Sequence, residues 1–222
     1  DGSGNGNHGT IAGATYVNGV GAPSPQTSVI DWNKGVNLVT YSEQFDNADW
    51  TNNINCNVTA NATTSPDGTQ TADEIEFTAA NGNIYDQFVN VANSNHIASI
   101  FVKNKDIGVL KLDMEGGSPS ILARVDVDLV NGTLSNPVGD FTPTIENYGN
   151  GWYRVAIGDN SNGNVATPAY KLRYVSATGS FYAWGAQVEA ADSLGPYVRT
   201  GATAQPSPVL LPQGLTTGRD IT

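Results

Sequence analysis

Across residues 122–129 apolar and polar side chains take strict turns: Val125, Val127 and Leu129 alternate with Arg124, Asp126 and Asp128. A period of two sends each set to its own face of a pleated strand, one face for a core and one for water. The device recurs at 109–114, where Leu110, Leu112 and Met114 oppose Lys111 and Asp113. It recurs again at 72–77, where Ile75 and Phe77 oppose Glu74 and Glu76. Runs at 54–58, 83–89, 96–103, 151–157, 169–175 and 181–189 are bounded by Gly, Asn, Pro or Asp and read as further strands. Val130-Asn-Gly-Thr133 carries hairpin chemistry. No stretch has the period of a three-turn amphipathic helix. The expected fold is all-β: a two-sheet antiparallel β-sandwich of jelly-roll type, with extended N- and C-terminal arms.

Asn37-Leu-Val-Thr-Tyr-Ser42 and Phe181-Tyr-Ala-Trp-Gly-Ala-Gln-Val-Glu189, closed by Pro196-Tyr-Val-Arg-Thr200, read as the first and last strands, side by side in one sheet. Phe45 and Trp50 are expected anchors of the core. Residues 1–36 form a Gly/Asn/Pro-rich arm or linker, 37–200 the sandwich domain and 201–222 a Pro-rich extension. Pro-Ser-Pro occurs in both flanks, at 23–25 and 206–208. Segments of this composition lack a core of their own and gain order from a partner, so other subunits and a homo-oligomer are expected. The chain opens on Asp1 rather than Met, which reads as a processed or partial chain.

The formal net charge of −11 and the lack of basic clusters weigh against nucleic acid and anionic membranes as partners. No apolar run approaches the ~20 residues that span a bilayer as a helix. A single cysteine, Cys56, excludes an intrachain disulfide framework, and its strand setting makes it a small hydrophobe. Neither His8 nor His96 belongs to a recognisable triad, and no metal-binding His pair occurs. Asp126/Asp128 and Glu74/Glu76, two apart on strands, share a face and are the candidate acid pairs for glycoside hydrolysis. The competing reading of each pair is a solvated sheet face, and the chain is expected not to be an enzyme.

Sugars are held by aromatic platforms and planar polar groups, because their C–H faces stack while their hydroxyls need donors and acceptors. Lys111, Asp113, Arg124, Asp126, Asp128, Lys171 and Arg173 occupy polar sides of strands and form one hydrogen-bonding face if those strands are neighbours. Tyr85 and Tyr153 are the candidate platform. An ordinary charged exterior or an intersubunit surface is the alternative. Trp152 and Trp184 read as core residues.

Asn37-Leu-Val-Thr-Tyr-Ser-Glu-Gln-Phe-Asp-Asn47 with Trp50, Ser65-Pro-Asp-Gly-Thr69 with Ala72-Asp73, Gly149-Asn-Gly-Trp-Tyr-Arg154 and Trp184-Gly-Ala-Gln-Val-Glu189 stand in one order over residues 37 to about 200. Together they resemble the carbohydrate-binding-module-like jelly-roll domains of bacteriophage tail fibres, spikes and other virion proteins. The resemblance implies a virion structural protein, on the particle surface, with weak attachment to a host-surface glycan. A carbohydrate-binding module attached to a polysaccharide-degrading enzyme is the alternative, and a hydrolase using Asp126 and Asp128 a third. Jelly-roll modules often hold structural calcium in the loop after the first strand, which makes Glu43, Asp46 and Asp49 the candidate ligands. Trp184-Gly-Ala-Gln stands where many such modules carry an Asp-containing last strand whose Asp is a calcium ligand.

Overall fold

The computed structural model describes residues 36–50, 54–88, 91, 93–116, 121–160, 168–174, 178–203 and 205–206, with Ala169 alone described as a side chain in 168–174. Most of the expected arms therefore lie outside the described residues. Thirteen strands appear among the described ones: β1 (Val36–Asn37), β2 (Cys56–Thr63), β3 (Ala72–Phe77), β4 (Gly82–Gln87), β5 (His96–Asn104), β6 (Val109–Gly116), β7 (Ile121–Asp128), β8 (Thr133–Val138), β9 (Thr144–Gly149), β10 (Trp152–Asp159), β11 (Pro168–Tyr174), β12 (Gly179–Ala190) and β13 (Gln205–Pro206).

They form a two-sheet antiparallel sandwich, as the alternation predicts. One sheet has the order β2-β3-β12-β5-β10-β9, the other β4-β11-β6-β7-β8, and β1 pairs separately with β13. The pairs β3/β12, β4/β11 and β5/β10 are nested, so the chain runs as one long folded hairpin rolled across both sheets. That nesting is the jelly-roll path. β7 and β8 join through the expected turn, where Gly132 takes φ 66° and the Gly132 amide donates to Asp128 O at 2.8 Å.

The core lies between the inner faces. Leu110, Leu112 and Met114 of β6 and Val125 and Val127 of β7 meet Ala98, Ile100 and Val102 of β5, Val155 and Ile157 of β10 and Phe181 of β12, all with no exposed surface. Burial of each large aliphatic side chain among them contributes about 1.5–3 kcal/mol. Alternation sends Phe101, Trp152 and Trp184 to the opposite face of the six-stranded sheet. There they build a second cluster with Ala72, Tyr182 and Tyr197, so Trp152 and Trp184 are packed, as expected, but not between the sheets.

The stretch expected to be the first strand departs from the reading. Only Val36–Asn37 is strand; residues 38–50 run as turns, with Tyr41 at φ 46° interrupting any ladder. The segment nonetheless lies against β12: Leu38 N donates to Val188 O at 2.8 Å and Ala186 N to Ser42 O at 2.9 Å, and the Asn37 side chain adds to them. Its Nδ2 donates to Ala186 O at 3.0 Å and Val198 O at 2.8 Å, while its Oδ1 accepts from Val39 N at 3.1 Å and Val188 N at 3.2 Å. Phe45 and Trp50 are buried as anchors, with ring centroids 4.5 Å apart.

Candidate functional site

Within the five-stranded sheet β4, β11, β6 and β7 are consecutive neighbours. Their registers align the polar positions in two cross-strand rows. In the first, Tyr85 stands opposite Lys171, Lys171 opposite Asp113 and Asp113 opposite Arg124. In the second, Asn83 stands opposite Arg173, Arg173 opposite Lys111 and Lys111 opposite Asp126. Four of the chain's ten Lys and Arg residues (Lys111, Arg124, Lys171 and Arg173) thus hold register positions in these two rows of a strongly acidic protein. For Lys171 and Arg173 the strand positions are described, and their side chains are not.

The described side chains of the patch lock one another. Arg124 donates from Nε to Asp113 Oδ1 at 2.6 Å and from Nη2 to Asp113 Oδ2 at 2.9 Å, a two-pronged pair on a carboxylate with no exposed surface. Lys111 Nζ donates to Asp126 Oδ1, and Asn136 Nδ2 donates to the second oxygen of Asp126 at 2.8 Å. Burial alone would raise the Asp126 carboxyl. Hydrogen bonds from Lys111 and Asn136, with the charges of Lys111 and Arg124, outweigh it and hold the group below the usual carboxylate range.

Two expected members fall outside this patch. Asp128 closes the β7–β8 turn, accepting from Val130 N and Asn131 N at 2.9 Å each and from Asn131 Nδ2 at 2.8 Å. Those donors, the Asn131 side chain first, hold its carboxyl low. Tyr153 belongs to β10 of the other sheet and packs on the inter-sheet core; a Cβ on Gly132 would come within 2.5 Å of its ring. It shares no surface with Tyr85. The i,i+2 spacing of Asp126 and Asp128 remains, and both carboxyls are held low.

The proposed calcium loop is wired differently. Glu43 is buried, accepts from the Tyr197 hydroxyl at 3.0 Å and pairs with Arg199 Nε at 3.2 Å. Burial pushes its carboxyl up against those two partners. Asp46 is exposed, and exposed Asp49 accepts from Thr40 Oγ1 at 3.0 Å. Among the described residues no group of three acid, His or Cys side chains is placed to hold a metal ion. Asp73 ties the loop down instead: its two oxygens accept from Phe45 N and Asn61 N at 2.8 Å each.

A feature absent from the sequence reading lies at one end of the six-stranded sheet. The segment from Asp140 to Thr144, the start of β5 and the residues after β12 border an open cleft of about 590 Å³, with Ile97 and Phe141 among its walls. Volumes of ~300–1,000 Å³ are usual for small-molecule sites. A second depression, beside Glu43 and Asp73, measures about 220 Å³.

No family model matches the sequence, and no curated protein does. Among solved structures, the enzymatically active domain of bacteriophage CBA120 tailspike protein 4 is similar at 15% identity over 72% of this chain and 23% of that one, with a TM-score of 0.45. The Clostridium thermocellum xylanase 10B CBM22-1–GH10 modules, complexed with xylohexaose, are similar at 13% identity over 77% of this chain and 30% of that one, TM-score 0.45. TmCBM61, in complex with β-1,4-galactotriose, is similar at 8% identity over 70% of this chain and 99% of that one, TM-score 0.35. The chain spans less than a third of the tailspike and xylanase structures. Resemblances this distant fix neither a ligand nor an activity.

Proposed function

We propose that the sandwich is a non-catalytic carbohydrate-binding domain that reads a glycan across β4, β11, β6 and β7, and that its place is a phage virion. In that setting it is a structural component, fibre, spike or capsid-surface decoration, with weak attachment to a host-surface glycan. The observation that carries the binding reading is the pair of cross-strand rows, in which Arg124 is fixed by Asp113 and Lys111 by Asp126. Side chains already held by ion pairs lose little rotamer freedom when a sugar hydroxyl bridges them, so binding keeps more of its gross energy. Carboxylates accept and cations donate, which suits vicinal hydroxyls that do both. The low carboxyls of Asp126 and Asp128 favour binding over hydrolysis.

The test is a glycan array and calorimetry with the whole chain and a Lys111→Ala/Asp126→Ala variant. A loss of about tenfold or more in affinity, roughly 1.4 kcal/mol, with unchanged melting behaviour is expected. Binding indifferent to both substitutions, or no binding on the array, sinks the reading. The virion role is read separately, by light scattering of the whole chain and by protein analysis of purified particles. A monomer absent from every particle preparation refutes it.

A further inference from the structure

We infer that the cavity at the end of the six-stranded sheet is a second binding site, and that its occupant is a single neutral sugar ring. For its ligand class the inference rests on the carbohydrate reading above; it does not rest on the five-stranded face. The floor is apolar: Ile97 is buried on β5 directly opposite Gly158 of β10. Phe141 rests on that glycine. A Cβ at Gly158 would lie 2.9 Å from Phe141 Cγ and 3.0 Å from His96 O, so only glycine lets the ring settle so close to the strand. The ring is half-buried and lines the cavity, an aromatic surface whose orientation is fixed before any ligand arrives.

The polar lining is Asn95, Asn160, Thr142, Thr144 and three carboxylates. Asp140, Asp159 and Asp192 border the cavity, and no Lys or Arg is among its described lining residues. Asn95 donates from Nδ2 to Asp192 Oδ1 at 2.9 Å. The occupant must therefore bring several donors, offer an apolar C–H face to Phe141 and carry no negative charge. A neutral pyranose or furanose ring meets all three conditions; a uronate fails the third.

Saturation-transfer NMR and calorimetry of the whole chain with methyl glucoside, galactoside, xyloside and glucuronide provide the test. Binding of at least one neutral glycoside is expected, weakened tenfold or more by Phe141→Ala and severalfold by Asp140→Asn, an exposed site where folding is not at issue. The Lys111→Ala/Asp126→Ala variant is expected to retain it. Loss in that variant with retention in both pocket variants overturns the pocket while leaving the five-stranded face standing. Retention in all variants, glucuronide binding as tight as the neutral glycosides, or no binding by any glycoside, also overturns it.

Discussion

The carboxylate of Asp113, wholly shielded from solvent, is gripped across the β6–β7 ladder by two nitrogens of Arg124, at 2.6 and 2.9 Å. Removing the guanidinium takes two charge-assisted bonds from a buried carboxylate, which is worse than removing the pair. Arg124→Ala is expected to lower stability by about 2–4 kcal/mol, with Arg124→Lys in between. Urea midpoints measure both, and equal midpoints for wild type and Arg124→Ala contradict the account.

Asn37 satisfies two donors and two acceptors at once. Asn37→Asp keeps the shape but turns an oxygen toward Ala186 O and Val198 O. A cost of about 2–4 kcal/mol follows, from two lost donors and acceptors left facing each other. Thermal melts read the loss, and a variant within a degree of wild type refutes it.

Asp86 is buried on β4, and burial pushes its carboxyl up to about 7, against backbone amides of Gln87 and Thr40. The folded chain therefore holds a proton that the unfolded chain, titrating near 4, releases. Stability from this group is full below about pH 4 and falls as pH rises through 7. His96 runs the opposite way: burial depresses its pKa, so stability is lost as pH falls through 6.5 and below. Comparing variants isolates the first effect. The melting temperature of Asp86→Asn minus that of wild type is expected to climb between pH 5 and pH 8, by the equivalent of about 1–3 kcal/mol. A flat difference is the contrary result.

Cys56 is half-buried against the core, and burial, followed by the Glu76 charge, pushes its thiol up to about 12. Thiolate is the reactive form. Labelling by a disulfide reagent at pH 8 is expected to run at least tenfold slower than for an unfolded control, as seen by absorbance. Equal rates count against that setting.

Gly132 combines φ 66° with a Cβ position already filled by the Tyr153 ring. Gly132→Ala is expected to cost about 1–3 kcal/mol. The measurement is denaturant unfolding, and a neutral substitution denies that the turn and β10 are in contact.

Strands were legible where burial alternates. Ala72–Phe77 and the polar sequence Lys111, Asp113, Arg124, Asp126 stand where the period of two puts them. β9 was not, because Thr144–Gly149 is an edge strand exposed at five of its six positions and carries no apolar rhythm. Asp128 shows the opposite limit. It continues the rhythm of β7, yet the last residue before a tight turn is needed for that turn. Tyr153 follows Trp152, and both are large and aromatic; period alone does not say which of the two faces of that sheet is the inter-sheet core. The cavity was out of reach for another reason. Asn95, Phe141 and Asp192 come from three separate connections, and only the closed fold brings them to one place.

The nested path has a consequence for how the protein is made. β12 is the last long strand among the described residues, yet it sits between β3 and β5 in the middle of its sheet. Until the ribosome has released residue 190, the β2–β3 pair and the β5–β10–β9 group have no common member. Each presents an unpaired edge to its surroundings. Vectorial synthesis cannot lay this sheet down from one side; the final insertion joins both halves in a single event. A chain stalled or cut before β12 is thus a pair of sticky fragments rather than a smaller domain, a hazard for aggregation built into the order of the strands.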